Sequence, residues 1–291
     1  MQVHKSMEYL PEIDSPVVTV GSFDGVHVGH RVIIGRLNAL AAQTGGSSVL
    51  ITFHPHPRLV LYPDTAGKDL KLINSQSEKI MLLEEAGLDH LIIMEFTKDF
   101  ARTSSDDFVE HYLVGKLHAH TIVVGFNHYF GNNREGSFSS LYEAREHMGF
   151  RVEEIPEQEI QNETVSSTRI RKALKEGNIQ RANAYLEHHY MIRANVEVLP
   201  EHYGRPCFRI PVNDPLKLLP PVGGYAASFF CNGQHEKALV LVEEESVLLF
   251  PLEAGSSPGQ DEEQIRFHKR LPTTGLPDFG HMLNAVRELI Y

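Results

Sequence analysis

Ten consecutive residues constrain this chain most: Gly21-Ser22-Phe23-Asp24-Gly25-Val26-His27-Val28-Gly29-His30. They follow the apolar run Val17-Val18-Thr19-Val20 and lead into a helical pattern with Ile33, Leu37, Leu40 and Ala41 on one face. Strand, glycine turn and helix start in that order make an anion cradle. The first N–H groups of a helix lack intrahelical acceptors, and the helix dipole favours negative charge there. Gly29 permits close backbone approach to a ligand. Val28 can bury while His27 and His30 point toward phosphates. A pair of histidines is ordinarily structural or solvated; its place after a glycine turn and at a helix start gives it the functional reading here.

The first part of the chain alternates strand and helix patterns. Strands are expected at Val17 to Val20, Ser48 to Phe53, His90 to Met94, Thr121 to Val124 and Arg151 to Ile155, each short and apolar. Between them lie helical patterns, one running from Glu78 to Ala86 and stopping at Gly87, another starting at Ser104-Ser105-Asp106-Asp107. This alternation implies an α/β fold, a doubly wound parallel sheet of Rossmann-like type, with ligands bound at the carboxyl ends of the strands. Gly21 to His30 and Gly125 to Gly131 both follow strands and are expected to face one crevice. Near residue 186 the pattern changes to short strands, at Met191 to Val198, Gly224 to Cys231, Ala238 to Val242 and Ser246 to Pro251, with a closing helix over Pro277 to Ile290. The expectation is two domains, 1–186 and 187–291, the second a small antiparallel β-barrel.

A length of 291 residues suits two domains, and 42% hydrophobic content supports a core. The formal net charge is −11, and no basic block reads as a nucleic-acid surface. No apolar stretch has the length of a signal peptide or a membrane span, so the reading is cytoplasmic, with small molecules as partners. Cys207 and Cys231 belong to no metal-spaced pair and read as buried small hydrophobes.

Three further motifs carry chemistry. In Val165-Ser166-Ser167-Thr168-Arg169-Ile170-Arg171 an ordinary helix cap explains one hydroxyl, not three. It also leaves two cations in a first turn, where they cost roughly 0.3–1 kcal/mol unless an anion sits there. Hydroxyls, N–H groups and a guanidinium would then converge on a polyphosphate. Val124-Gly125-Phe126-Asn127-His128-Tyr129-Phe130-Gly131 is compatible with core packing and equally with Asn127 binding a ribose or base. In Phe53-His54-Pro55-His56-Pro57-Arg58 the prolines are expected to stiffen an extended loop that shapes a flat aromatic pocket. No ligand spacing completes a metal site there.

Together these segments resemble the bacterial bifunctional riboflavin kinase/FMN adenylyltransferases, or FAD synthetases. GSFDGVHVGH, FHPHP, VVGFNHYFG and VSSTRIR occur in that family in the same order, and the resemblance covers about residues 15 to 190. It implies an N-terminal α/β adenylyltransferase domain and a C-terminal β-barrel kinase domain. His27 and His30 would contact ATP phosphates, and Ser167, Thr168 and Arg171 would hold the triphosphate during transfer. Gly21, Ser22, Phe23, Asp24, Gly29, Asn127 and Ser166 would complete the ATP site. Phe53, His56, Pro57 and Phe130 are the expected flavin contacts, from loop position and aromatic character. Mg²⁺ would be held through the ATP phosphates, with no protein ligand. The two helix starts are expected to serve one triphosphate. Thr164 departs from the family, standing where relatives often carry a basic residue.

The second half departs further. The family's kinase domain has a glycine-rich segment ending in Pro-Thr-Ala-Asn; the nearest stretch here, Gly204 to Asn213, keeps a glycine, a proline and an asparagine but no threonine. The expected acidic kinase base has no counterpart, and Glu243-Glu244-Glu245 reads as an exposed turn. The expectation is FMN + ATP → FAD + pyrophosphate on a retained barrel with an eroded kinase site. The alternatives are a bifunctional enzyme that still phosphorylates riboflavin, and a non-catalytic flavin or nucleotide sensor.

Overall fold

The computed structural model describes residues 1–126, 129–157, 159–160, 163–231, 233–253, 255–259, 262–272 and 279–289. The chain forms two compact units, Met1–Leu70 with Lys79–Thr164, and Lys71–Glu78 with Val165–Tyr291.

The first unit is built on β1 (Gln2–His4), β2 (Val17–Val20), β3 (Ser48–His54), β4 (His90–Glu95), β5 (Thr121–Gly125) and β6 (Arg151–Ile155). All neighbours pair in parallel, in the order β1-β4-β3-β2-β5-β6. All five expected strands are present. β1 is an addition, too short and too polar to stand out in the sequence. The pleat sorts the side chains. Val18, Val20, Val49, Ile51, Ile122 and Val124 face one core, and Val17 and Val123 face another with Leu37 and Ala41. Leu37 and Ala41 belong to α1 (Val28–Thr44), which ends at Gly45 with φ 65°, a left-handed cap suited to glycine. The other face is covered from α4 (Ser105–Asp107), which continues as a π-helical segment over Phe108–Lys116, and from α5 (Phe138–Met148), after α2 (Pro57–Leu61) and α3 (Gln76–Glu85). Ser104 caps α4 by accepting from the Asp107 N–H, as its sequence implies. A two-strand hairpin, β7 (Glu159–Ile160) and β8 (Glu163–Thr164), ends the unit, and Thr164 is the last residue of β8.

The second unit contains α6 (Ser167–Lys175), α7 (Ile179–Leu186), β9 (Met191–Ala194), β10 (Glu197–His202), β11 (Arg205–Arg209), β12 (Gly223–Cys231), β13 (Gln234–Val242), β14 (Val247–Pro251), β15 (Glu263–Arg270) and α8 (Phe279–Glu288). The seven strands form one antiparallel sheet, a half-barrel, in the order β10-β11-β14-β13-β12-β15-β9. Met191 to Val198 is therefore not the single strand expected from its apolar content. Asn195 and Val196 interrupt it, and the two pieces lie at opposite edges of the sheet. β11 carries a proline and two arginines, and β15 alternates buried with half-buried charged positions, so neither resembles an apolar strand in sequence. Met282, Leu283 and Val286 of α8 pack on Ala226, Leu239 and Phe250. Cys207 and Cys231 are buried, unbridged thiols. Helices α6 and α7, which the sequence reading places in domain 1–186, cluster with this unit.

Residues 71–78 are built into the same unit. Leu72 pairs with Lys217 through a parallel bridge. Ser75 and Glu78 form a reciprocal capping box at the start of α3, the Ser75 N–H donating to Oε2 and the Glu78 N–H to Oγ. Lys217 Nζ then meets Glu78 Oε2 at 2.6 Å, with side chains 2% and 1% exposed, and donates also to the Ile73 and Met191 carbonyls. The Tyr190 ring lies 4.5 Å below it. Breaking one side of such a pair strands the other charge away from water. Lys217→Met is expected to lower stability in urea unfolding by about 3–5 kcal/mol, and Lys217→Met combined with Glu78→Gln to recover most of the loss.

Candidate active site

The chain moves outward from β2 in one direction, through β3 and β4, and in the other through β5 and β6. β2 and β5 therefore flank the switch point of the sheet, where ligands bind in folds of this kind. Gly21 leaves the carboxyl end of β2, its N–H bonded to the Ile51 carbonyl. The turn that follows is unusual. Phe23, Gly25 and Val26 have φ of 46°, 95° and 42°. Left-handed backbone at Phe23 and at β-branched Val26 costs of order 1–3 kcal/mol each and persists only where packing over-determines it. Phe23, Asp24 and Val26 are all buried. A Cβ on Gly21 would stand 2.9 Å from the Phe23 ring, so any larger residue there would have to displace that ring.

His27 is the N-cap of α1 in extended conformation, and its side chain makes no capping bond. The first-turn N–H groups are thus left to other acceptors. His27 and His30 stack with centroids 3.7 Å apart, and Phe23 stacks on the far side of His30 at 4.3 Å. The two histidines thus lie together at the start of α1, with Phe23 as a third ring. His30 Nδ1 is buried and has no hydrogen-bond partner among the described residues. Burial, then the charges of His27 and Lys79, hold His30 well below the ordinary histidine range, so its ring is neutral near pH 7.

Lys79 is the residue that sequence reasoning missed. A lysine among the polar positions of an amphipathic helix reads as surface, yet Lys79 is 6% exposed and donates from Nζ to the Ser22 carbonyl at 2.9 Å. Burial lowers its pKa, and the charge of Asp24 opposes that shift.

The aromatic residues gather beside the same strand ends. Phe53 packs at 5.8 Å from Phe100, Phe100 at 6.1 Å from Phe108, and Phe108 at 6.1 Å from Phe130. Two of the expected flavin contacts, Phe53 and Phe130, are thus half-buried members of one aromatic string. The segment at 53–58 is not an extended loop. Phe53 and His54 finish β3, and Pro57 opens α2, where a missing N–H is harmless. His56 caps that helix, accepting from the Arg58 N–H at 3.2 Å. Asn127 and His128 lie outside the described residues. A cavity of about 660 Å³ is lined by Asp14, Pro16, Lys116 and His120. It sits where β2 and β5 begin, at the opposite ends of those strands from Gly21 and Gly125.

In the second unit, Ser166 is the N-cap of α6 and accepts from the Arg169 N–H, so one hydroxyl serves as the cap, as the bland reading requires. Ser167 and Thr168 occupy the first turn and Arg171 the next. Ile170, Ala173 and Leu174 are the buried residues of α6. Glu243 to Glu245 form an exposed turn closed by the Glu243 N–H to the Ser246 carbonyl. Among the described residues no three His, Cys, Asp or Glu side chains gather as a metal-ligand set, and no helix is long and apolar enough to cross a membrane.

The ring stack makes a claim about Gly29. A Cβ there would stand 3.3 Å from the His27 ring. Gly29→Ala sets a helix-propensity gain of up to about 1 kcal/mol against displacement of the His27 ring, so its net effect on stability is expected to stay within about 1 kcal/mol. It is also expected to shift the imidazole proton resonances of His27 and His30 in NMR spectra; unmoved resonances would count against a tight stack.

Comparison with known proteins places these features. Residues 11–169 match the family model described as FAD synthetase. The chain is 33% identical over 221 residues to the bifunctional riboflavin kinase/FMN adenylyltransferase of Listeria monocytogenes, covering 75% of this chain and 69% of that protein. It is 32% identical to the protein of that name from Bacillus subtilis, covering 75% and 68%, and 30% identical to that of Escherichia coli, covering 75% and 69%. A crystal structure titled as a macrolide-efflux protein from Streptococcus pneumoniae shares the fold, with a TM-score of 0.82 at 22% identity over 98% of this chain and 95% of that one. With its strand, strained turn and histidine pair inside the matched region, the chain belongs to the FAD synthetase family.

Proposed function

We propose that this protein is an FMN adenylyltransferase, joining FMN and ATP to FAD and pyrophosphate. The observation that carries the reading is the His27–His30 stack on the uncapped first turn of α1, at the sheet's switch point, in a chain of the FAD synthetase family. An oxygen of the FMN phosphate attacks the α-phosphorus of ATP in line. The bond from that phosphorus to the β-phosphate oxygen breaks, and pyrophosphate leaves with the electron pair. The attacking phosphate is largely dianionic near neutrality, its second pKa being about 6, so no covalent protein nucleophile is needed. The protein's contribution is positioning and charge stabilisation.

His27 and His30 donate to phosphate oxygens beside the first-turn N–H groups. Ser167, Thr168 and Arg171 hold the departing pyrophosphate, with Gly21, Ser22, Phe23, Asp24, Gly29, Asn127 and Ser166 completing the nucleotide site. Phe53, His56, Pro57 and Phe130 contact the flavin. Donors dominate at the cradle, which fits phosphate oxygens and not a cation. Mg²⁺ would therefore be held through the ATP phosphates, where it supplies charge neutralisation. The catalytic domain is 1–186 and the half-barrel domain 187–291, in a cytoplasmic enzyme whose partners are small molecules. The segment from Gly204, which has φ 66°, to Asn213 supplies no threonine for kinase chemistry, so the half-barrel is a scaffold without riboflavin kinase activity.

The coupled assay decides both parts. Pyrophosphate and FAD are expected from FMN with ATP, and no FMN from riboflavin with ATP; FMN appearing would restore the kinase. His30→Ala is expected to lower kcat by about 10²–10³-fold with the FMN KM within about threefold, the signature of a group that acts on the transition state. Equal losses in both would remove its assigned role.

The low pKa of His30 gives a second test. Relative to an unfolded histidine near 6.5, its stabilising contribution is complete above that pH and is lost as pH falls through the lower folded value. Bound triphosphate favours the imidazolium, so ATP binding is expected to take up protons below about pH 6.5 and to stop doing so well above it. Calorimetry in buffers of different ionisation enthalpy reads this uptake, and His30→Gln should abolish its His30 share.

A further inference from the structure

We propose that Lys79 is a positioning residue for adenylyl transfer, holding the Gly21–Gly25 turn by the Ser22 carbonyl and stationing a buried positive charge beside the histidine stack. The step it serves rests on the adenylyltransferase reading; its geometry belongs to the chain alone.

A buried ammonium is expensive. Lysines on helices ordinarily run their stems along apolar surface and keep the charge in water. Lys79 does not, and packing gives no reason for it, because a Leu or Met would fill the same volume without the several kcal/mol that desolvating the charge costs. What the ammonium gains is the Ser22 carbonyl at 2.9 Å and the opposite charge of Asp24, itself 2% exposed. Thr52, fully buried on β3, donates to the same carbonyl at 3.3 Å. Two buried side chains thus fix one peptide group. In a trans peptide the C=O and the following N–H point in opposite directions, so pinning the Ser22 carbonyl inward turns the Phe23 N–H away from Lys79. It also supplies the outside determination that a left-handed Phe23 requires. The Phe23 ring carries His30, and His30 carries His27. The line of support runs from Lys79 through Ser22 and Phe23 to both histidines, and the charge of Lys79 also acts on His30 directly.

The test uses the full chain with two readouts. NMR titration of the imidazoles follows His30 in the protein without substrates; steady-state kinetics with FMN and ATP separates kcat from KM. In Lys79→Met the His30 midpoint is expected to move up toward the ordinary histidine range. Its kcat is expected to fall about tenfold or more, with the FMN KM within about threefold. Lys79→Arg keeps the charge, and is expected to keep the His30 midpoint low and to recover part of kcat. An unmoved His30 midpoint, a kcat close to that of the unaltered protein, or an Arg variant that behaves like the Met variant would each overturn the proposal. Circular dichroism and thermal melting check the fold; should Lys79→Met not fold, both readouts are taken on Lys79→Gln, which keeps a donor without the charge. If the unaltered chain makes no FAD, the adenylyltransferase reading falls, and the His30 titration still decides whether Lys79 governs the stack.

Discussion

The pairing of β2 with β5 is the constraint from which the first unit follows. Both strands are short and buried on both faces, and their backbone bonds are satisfied only by parallel neighbours. Because the chain leaves β2 toward one side of the sheet and returns to add β5 on the other, the connections diverge at this junction. Backbone there has room to turn sharply, and the turn after β2 uses that room. It accepts left-handed conformations at two residues that dislike them. In return it presents the start of α1 with a ring stack already formed and the first-turn N–H groups unclaimed by a side-chain cap.

The electrostatics of that junction are arranged ahead of any ligand. His30 sits neutral between two rings, held so by burial and by neighbouring positive charge. A neutral imidazole can donate one hydrogen bond without the repulsion that two imidazolium rings 3.7 Å apart would suffer.

The sequence exposed some of this and hid the rest, for identifiable reasons. The parallel strands were legible because burial on both faces demands continuous apolar runs such as Val17 to Val20 and Ser48 to Phe53. The helix starts at Ser104 and Ser166 were legible because a hydroxyl cap is a local device. β11 and β15 were not, since half-buried strands of a curled sheet tolerate arginine and glutamate at alternate positions. The break at Asn195 was masked by the apolar residues on either side of it. The proline repeat at 55 and 57 signalled stiffness correctly but not its form, because proline at the first position of a helix is as well placed as in a loop. Phe53 and Phe130 stand out in the sequence only by their aromatic character, and the structure adds that they share one string of rings. Lys79 was invisible because its role depends on a carbonyl 57 positions away, which no local pattern encodes.

Residues 71–78 show a different kind of design. They lie in the sequence between strands of the parallel sheet, yet their carbonyls, their capping box and the Glu78 carboxylate are spent inside the other compact unit, around Lys217. Linear order and compactness therefore disagree. A gene fission at the apparent boundary near residue 186 would leave one product carrying Ile73 and Glu78 with nothing to bury them. The other product would hold a lysine whose counter-ion had departed with the first. The half-barrel is thus tied to the rest of the chain through its folding, independently of any chemistry it performs.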